Sequence, residues 1–260
     1  LEGIDLLIYD IQDIGSRSYT YISTMAVAME VAAENNLPFM VLDRPNPLGG
    51  ERVEGRPLDA QFKSFVGAFP IPYVYGMTCG ELARMINDRG WLEGGVRCEL
   101  SVIPMQGWRR SMTFEQTRLP WVPTSPHIPQ ATTSLFYAAT GIMGELQVIS
   151  EGVGYTLPFE LAGAPFIKDA GRFAQALNHR RLPGTRFRPM YFTPYYIDRI
   201  KGKPCGGVQI YVDPATSDLT AIQFHIMDAV RKLYPESNAA GKKRIAGETV
   251  PLHRKAHRAR

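Results

Sequence analysis

The stretch from residue 10 to residue 21 brings several side chains that could act on a sugar close together. It reads Asp-Ile-Gln-Asp-Ile-Gly-Ser-Arg-Ser-Tyr-Thr-Tyr, so two carboxylates, one amide, one arginine and two tyrosines occur within twelve residues. Glycoside hydrolysis generally uses two carboxyl groups, one as acid and one as base or nucleophile. The stretch is therefore compatible with a site that binds and cleaves a sugar. A structural interpretation is equally open, in which Asp10 and Asp13 cap the next helix and Arg17 pairs with one of them.

Two further segments carry polar side chains of the same kind. Residues 43–47 read Asp-Arg-Pro-Asn-Pro and could hydrogen-bond a sugar and orient a reacting bond. Residues 150–155 read Ser-Glu-Gly-Val-Gly-Tyr, where the glycines would let the backbone approach a ligand closely beside an acidic side chain. A plain turn is the alternative interpretation of this last segment.

No residue pattern predicts a metal or a nucleotide cofactor. The five histidines are scattered along the chain, and no two have the spacing of metal ligands. The phosphate-binding pattern G-x-x-x-x-G-K-[ST] does not occur, and Gly49-Gly50 follows a proline turn instead of opening a helix. A nucleotide-dependent enzyme is therefore the weaker alternative, and we predict that the protein uses neither a metal nor a cofactor.

The elements that position these segments alternate between strand and helix over the first hundred residues, which is typical of an α/β fold with a parallel sheet. We predict a buried strand over 4–10 and further strands over 39–43 and 97–104. Helices are predicted over 19–35 and 80–88, the second opened by a capping box of Thr78 and Glu81. Ligands of such sheets bind at the carboxyl ends of the strands, which is where residues 10–21 and 43–47 lie.

The later part of the sequence is less regular. Residues 108–129 are rich in proline, tryptophan and threonine, which indicates a linker or a wall between domains. Beyond them, helices are predicted over 173–179 and 221–234 and a strand over 207–212.

The net charge of +4 comes from the C-terminal residues 236–260, and the rest of the chain is nearly neutral. These residues have few large apolar side chains and no periodic pattern, so we predict a disordered basic tail. We expect no nucleic-acid partner, because the basic charge is confined to this tail. No apolar run approaches the roughly 20 residues that span a membrane.

Several strings together resemble the YbbC/NamZ family of bacterial exo-beta-N-acetylmuramidases. They occur in the family's order over roughly residues 1 to 235 and lie at residues 10–15, 19–25, 41–50, 76–78, 104–108, 119–122, 150–152 and 158–161.

The resemblance implies a glycosidase that releases N-acetylmuramic acid from the non-reducing ends of peptidoglycan fragments during cell-wall turnover and recycling. It implies a Rossmann-like domain at residues 1–120, a smaller α+β domain at residues 121–235 and an active cleft between them. Muramyl saccharides are then the expected partners, and the expected location is secreted or periplasmic, although no signal peptide is visible. No cofactor is expected.

The candidate site residues lie in the matched strings or within a few residues of them. We predict three catalytic residues, Asp10, Asp13 and Glu151. The predicted substrate-binding residues are Gln12, Arg17, Tyr19, Asp43, Arg44, Asn46 and Tyr155.

The sequence departs from the family in two respects. Family members usually begin with a segment containing a Gly-Pro-Glu-His-Gly-Phe-like motif, whose glutamate is a proposed catalytic residue, so we expect the chain to be incomplete at its N-terminus and, because of the tail, at its C-terminus. Val153 and Leu157 occupy positions where the family tends to have arginine, the natural partner of the lactyl carboxylate of muramic acid. A non-catalytic peptidoglycan-binding module or inactive remnant is therefore the alternative hypothesis.

Overall fold

The chain forms two three-stranded sheets, one parallel and one antiparallel, in a computed structural model that describes residues 1–197 and 199–237. The strands are β1 (Leu7–Tyr9), β2 (Phe39–Leu42), β3 (Leu100–Ile103), β4 (Leu161–Ala164), β5 (Thr185–Phe192) and β6 (Cys205–Val212). The helices are α1 (Tyr21–Glu34), α2 (Cys79–Arg89), α3 (Thr133–Gly144), α4 (Ala170–Asn178) and α5 (Leu219–Leu233). Short 3₁₀ turns occur at Ala60–Phe62, Glu93–Gly95 and Glu115–Thr117.

The parallel sheet has the order β1-β2-β3, and α1 and α2 are its crossover helices. Both helices pack against the face that carries Tyr9, Phe39 and Val41. The prediction of a buried strand over 4–10 is correct for Tyr9 but wrong for Ile8, which is 56% exposed, and for Ile4, which precedes the shorter observed strand. The reason is that neighbouring strand residues point to opposite faces, and within the described residues the helices cover one face.

Helix α2 begins as its sequence predicts. The Thr78 hydroxyl accepts the Glu81 N–H at 3.2 Å, and the Glu81 carboxylate accepts the Thr78 N–H at 3.0 Å, which completes the capping box. Gly90 ends the helix in a left-handed conformation with φ of +64°. These local signals position the N-terminus of α2 beside the end of β2.

The antiparallel sheet has the order β4-β6-β5, and helices α3, α4 and α5 pack around its core. The sequence predicted β6, α4 and α5 but not α3, β4 or β5. Strand β4 reads Leu-Ala-Gly-Ala, which has little strand propensity, and a side chain at Gly163 would collide with the Phe192 ring. Strand β5 contains Pro189 and two exposed arginines, a composition tolerated because β5 is an edge strand.

The segment between β2 and α2 joins the two sheets. The Arg52 guanidinium donates to the Ser217 carbonyl at 3.0 Å, and the Glu54 carboxylate accepts the N–H of Thr220 in the first turn of α5 at 2.9 Å. Tyr73 and Val74 pack into the core of the antiparallel sheet. A domain boundary between residues 120 and 121 stays a prediction.

Candidate active site

The carboxyl ends of β1 and β2 meet through an ion pair. Asp10 follows β1 and Arg44 follows β2, and a terminal guanidinium nitrogen of Arg44 lies 2.7 Å from Oδ1 of Asp10. Both side chains are about half exposed, at 46% for Asp10 and 39% for Arg44. The Asp10 carboxylate is thus within reach of a ligand at this edge of the sheet.

Asp13 is the most strongly perturbed carboxyl group of this region. Its side chain is buried, and Oδ2 accepts the Gly15 N–H at 2.7 Å and the Tyr75 hydroxyl. Oδ1 has no hydrogen-bond partner among the described residues. Burial raises the pKa of the Asp13 carboxyl to about 6, and the bonds from Tyr75 and Gly15 only partly oppose this effect. A protonated fraction near neutral pH is what a general acid requires.

Gln12 and Asn46 hold the two loops together. The Gln12 amide donates to the carbonyl oxygens of Asp13 at 2.7 Å and Pro45 at 2.8 Å. Asn46 donates to the Met77 carbonyl at 2.9 Å and accepts the N–H of residue 48 at 2.9 Å. Gln12 and Asn46 both line the small hollow at Asp13, and Gln12 also lines the neighbouring cleft.

The Asp43 carboxylate is occupied by hydrogen bonds within the protein. It accepts the Thr78 hydroxyl at 2.7 Å and the Gly80 N–H at 2.8 Å, and it also accepts the backbone N–H of Arg44 at 3.1 Å. These bonds fasten the start of α2 to the end of β2. A direct sugar contact by Asp43 would compete with all three.

A cleft of about 180 Å³ opens beside these loops. Gln12 and Arg44 form its polar side, and its apolar side consists of Phe114, Leu119, Pro120, Trp121 and Val122. Gln12 and Arg44 also line a small hollow of about 10 Å³, the size of a single water molecule, that includes Asp13 and Tyr75. An apolar wall facing a few placed polar groups is the usual construction of a small-molecule site.

The sequence reasoning missed the apolar wall of this cleft. Trp121 donates its indole N–H to the Ile128 carbonyl at 3.0 Å and packs edge-on against Phe114 at 5.0 Å. The signals were the proline- and tryptophan-rich composition of residues 108–129 and the family string at residues 119–122, and neither indicated which site this wall would face.

Neither Arg17 nor Tyr19 lines this cleft. The Arg17 guanidinium donates to the Arg56 carbonyl at 3.1 Å and lies 5.8 Å from the Tyr73 ring centroid. Tyr19 is 9% exposed and packs against Tyr137 at 5.7 Å. Arg17 lines a different cavity, whereas Tyr19 is a core residue.

The alternative interpretation, in which Asp10 and Asp13 cap the next helix and Arg17 pairs with one of them, is wrong. The N-cap of α1 is Thr20, and no side chain caps it. Asp10 pairs with Arg44, and Arg17 forms no ion pair with a described carboxylate.

Glu151 lies with the second sheet, beside the end of α3. Its carboxyl group is 5% exposed and adjoins Gly144, and burial, aided by the nearby Glu145, raises its pKa to about 7. Its Oε2 has no partner among the described residues. No hydrogen bond or ion pair of the described residues joins it to Asp10 or Asp13.

The loop that carries Glu151 nevertheless reaches the first loop. Val153 packs in one apolar cluster with Ile14 and Tyr19. Tyr155 instead packs against Phe192 of the antiparallel sheet, with ring centroids 5.7 Å apart. The structure therefore gathers Asp10, Gln12, Asp13 and Arg44 at one cleft and leaves Arg17, Tyr19, Glu151 and Tyr155 outside it.

The described residues contain no group of three or more His, Cys, Asp or Glu side chains placed to hold a metal ion. None of the described helices is long and apolar enough to cross a membrane.

Two family models match nearly the whole chain. The model of the N-terminal part of the exo-beta-N-acetylmuramidase NamZ matches residues 1–132, and that of its C-terminal part matches residues 135–253. The chain belongs to the NamZ family. The resemblance seen in the sequence motifs is confirmed. The C-terminal family model extends to residue 253, beyond the roughly 235 residues over which the sequence motifs were found. The predicted disorder of the tail concerns residues that, from 238 onward, lie outside the described part.

Characterised and solved members of the NamZ family are similar over most of the chain. The peptidoglycan beta-N-acetylmuramidase NamZ of Bacillus subtilis (strain 168) is 47% identical over 237 residues, which are 91% of this chain and 56% of that protein. A crystal structure of a DUF1343 family protein from Bacteroides fragilis superposes with a TM-score of 0.85 at 50% identity and covers 91% of this chain and 61% of that one. A second protein of that organism gives a TM-score of 0.65 at 36% identity, covering 79% and 53%. The chain thus spans little more than half the length of these NamZ relatives.

Proposed function

We propose that this chain takes part in hydrolysis of the glycosidic bond of N-acetylmuramic acid at the non-reducing end of peptidoglycan fragments. The observation that carries the proposal is the position of Asp13. Its carboxyl group has a raised pKa and one unpartnered oxygen, and it lines the hollow that Gln12 and Arg44 share with the larger cleft. The identity to the Bacillus subtilis enzyme supports the same assignment.

The two aspartates at this cleft suit different tasks. Asp13, held partly protonated by burial, would donate its proton to the leaving oxygen of the glycosidic bond. Asp10 is exposed and paired with the Arg44 guanidinium, so it would act as the ionised carboxylate on the other side of the bond. Glu151 lies outside this cleft, so its substitution tests whether a carboxylate beyond the cleft is needed.

The test is release of nitrophenol from 4-nitrophenyl N-acetyl-β-muramide by the chain and its variants. We expect Asp13→Asn to lower the rate roughly 100-fold or more, as for the loss of a general acid. Asp10→Asn and Glu151→Gln test the second carboxylate. The variant whose rate falls as far as that of Asp13→Asn identifies it. Asp5→Asn, an exposed change outside the cleft, is the control. A folded Asp13→Asn variant with full activity would refute the role of Asp13.

A second candidate function is binding of peptidoglycan fragments without cleavage. It is favoured by Val153, which is buried in apolar packing at a position where the family resemblance leads us to expect an arginine. Calorimetry with muramyl disaccharide separates the two functions. Binding without release of either sugar supports the second one.

We also propose a location outside the cytoplasm, in the periplasm or the medium, because peptidoglycan lies there. Fractionation of the producing bacterium with an antibody against this chain tests it. Recovery with the cytoplasmic markers alone would contradict the proposal.

A further inference from the structure

A second cavity, of about 310 Å³, shares no lining residue with the cleft of Gln12 and Arg44. It lies between the loop after β1, the segment before α2 and helix α3. Its polar lining includes Arg17, Ser18, Tyr73, Tyr137 and Glu145. Its volume is at the lower end of the range of small-molecule sites, roughly 300–1,000 Å³.

The charge of Arg17 is uncompensated within the described residues. Its Nη1 donates to two backbone carbonyls, those of Arg56 and Ile71, and no described carboxylate lies within ion-pair distance. The pKa of this guanidinium is lowered because burial partly desolvates it. A desolvated charge is costly unless an opposite charge compensates it. The remaining N–H groups form the planar fork that binds carboxylates through two parallel hydrogen bonds.

Three hydroxyl groups lie close to Arg17 in the same cavity. The Ser18 hydroxyl is 2.9 Å from that of Tyr73 and 3.2 Å from that of Tyr137. Burial raises the pKa of Tyr73 to about 12 and raises that of Tyr137 further, so both stay protonated. The two bonds to Ser18 use two of the three hydroxyl protons, which leaves one neutral donor for an oxygen-rich anion.

The rest of the lining is apolar and open to solvent. Phe62 is 66% exposed and Val66 is 58% exposed, and both face the cavity together with Leu58 and Ile142. Exposed apolar side chains next to an unpaired cation match a ligand that has an apolar body and an acidic end. Glu145, exposed at the end of α3, disfavours a second negative charge on its side of the cavity.

We propose that this cavity is a second ligand site, in which Arg17 binds the carboxylate of an organic acid while Phe62 and Val66 contact its apolar part. Its identification with a carboxylate of the muramyl substrate rests on the proposed function. Two groups of a muramyl peptide have this chemistry, the lactyl carboxylate of the sugar and the carboxylates of the peptide stem. Either carboxylate would provide a negatively charged partner for Arg17.

Calorimetry with three probes tests the site and separates the two sources. N-acetylmuramic acid has the lactyl carboxylate, N-acetylglucosamine is the same sugar without it, and L-alanyl-D-glutamate represents the stem. We expect N-acetylglucosamine to bind more weakly than at least one of the two acids. Binding of N-acetylmuramic acid assigns the lactyl group, and binding of the dipeptide alone assigns the stem.

Variants locate the binding. Arg17→Gln should lower the affinity for the acid roughly 10-fold or more, as expected for the loss of a charged hydrogen bond. Arg17→Lys should retain part of the affinity, and Arg56→Gln, an exposed neighbour that does not line the cavity, should match the wild type. Val66→Asp places a negative charge at an exposed lining position and should also weaken binding, which keeps the test valid if Arg17→Gln fails to fold.

The outcomes distinguish this site from the proposed enzyme activity. Arg17-dependent binding without nitrophenol release supports the site and counts against the enzyme. Nitrophenol release with acid binding unchanged in Arg17→Gln and Val66→Asp, or with no acid bound at all, overturns the site and leaves the enzyme in place.

Discussion

The hydroxyl group of Tyr75 donates a hydrogen bond to Oδ2 of Asp13, and both side chains are buried beneath the loop that follows β1. The bond fixes one carboxylate oxygen and leaves Oδ1 without a partner among the described residues. Tyr75 therefore determines both the orientation of the carboxyl group and part of its proton affinity.

The raised pKa of Asp13 predicts a stability that falls with rising pH. The folded pKa of about 6 lies above the ordinary value of 3.8, so the folded state binds the proton more tightly than the unfolded state. The contribution of Asp13 protonation to the free energy of unfolding is fully present below pH 3.8 and is lost as pH rises through 6. The free energy of unfolding changes by roughly 2–3 kcal/mol. Urea unfolding at pH 4 and pH 8 measures it as the difference between wild type and Asp13→Asn. Relative to the wild type, Asp13→Asn should be more stable at pH 8 than at pH 4. An equal difference between the two proteins at both pH values would contradict the burial of an ionisable Asp13.

Tyr75→Phe should move the pH profile of activity upward. The Tyr75 hydroxyl lowers the pKa of Asp13 by stabilising the carboxylate, so its removal raises that pKa above 6. If Asp13 is the general acid, the alkaline limb of nitrophenol release shifts to higher pH. Tyr155→Phe, which alters a ring packed against Phe192, is the matched control. A downward shift in Tyr75→Phe would oppose the acid role.

Thr78→Ala should destabilise the parallel-sheet half by about 1–2 kcal/mol. The hydroxyl caps α2 and also donates to Asp43, so the substitution removes the cap and one bond between α2 and β2. Thr78→Ser keeps the hydroxyl and should remain close to the wild type. Both values come from urea unfolding, and equal loss in the two variants would show that the methyl group matters instead.

Gly15→Ala should cost more stability than Gly107→Ala. Both glycines have positive φ, +79° and +74°, so alanine adds similar backbone strain of about 1–2 kcal/mol at either position. A Cβ at Gly15 would also collide with the Asn46 amide, whereas one at Gly107 meets nothing within 4 Å. The excess loss in Gly15→Ala, measured by thermal unfolding, reports how tightly the two loops are packed. Equal losses would mean that Asn46 moves aside freely.

Much of the first sheet could be predicted because its signals are local. The Thr78 and Glu81 capping box specified the start of α2, and runs containing apolar residues specified β2 and β3 within a few residues. The second sheet was harder, because β4 consists of small residues whose extended conformation depends on contact with Phe192 and β6. Strand propensity is a property of such neighbours more than of the residues themselves.

For the candidate site, the sequence alone determined the family and the placement of the loops that contain Asp10 and Arg44 at the same edge of a parallel sheet. Only the tertiary structure decided that Arg17, seven residues after Asp10, faces a different cavity, and that Glu151 is buried beside α3. The positions of the strands along the chain follow from patterns that neighbouring residues carry. The direction of a loop side chain depends on segments far away in the chain, such as the Ile71 carbonyl that binds Arg17 and the Trp121 wall that faces Gln12, and no local pattern encodes those contacts.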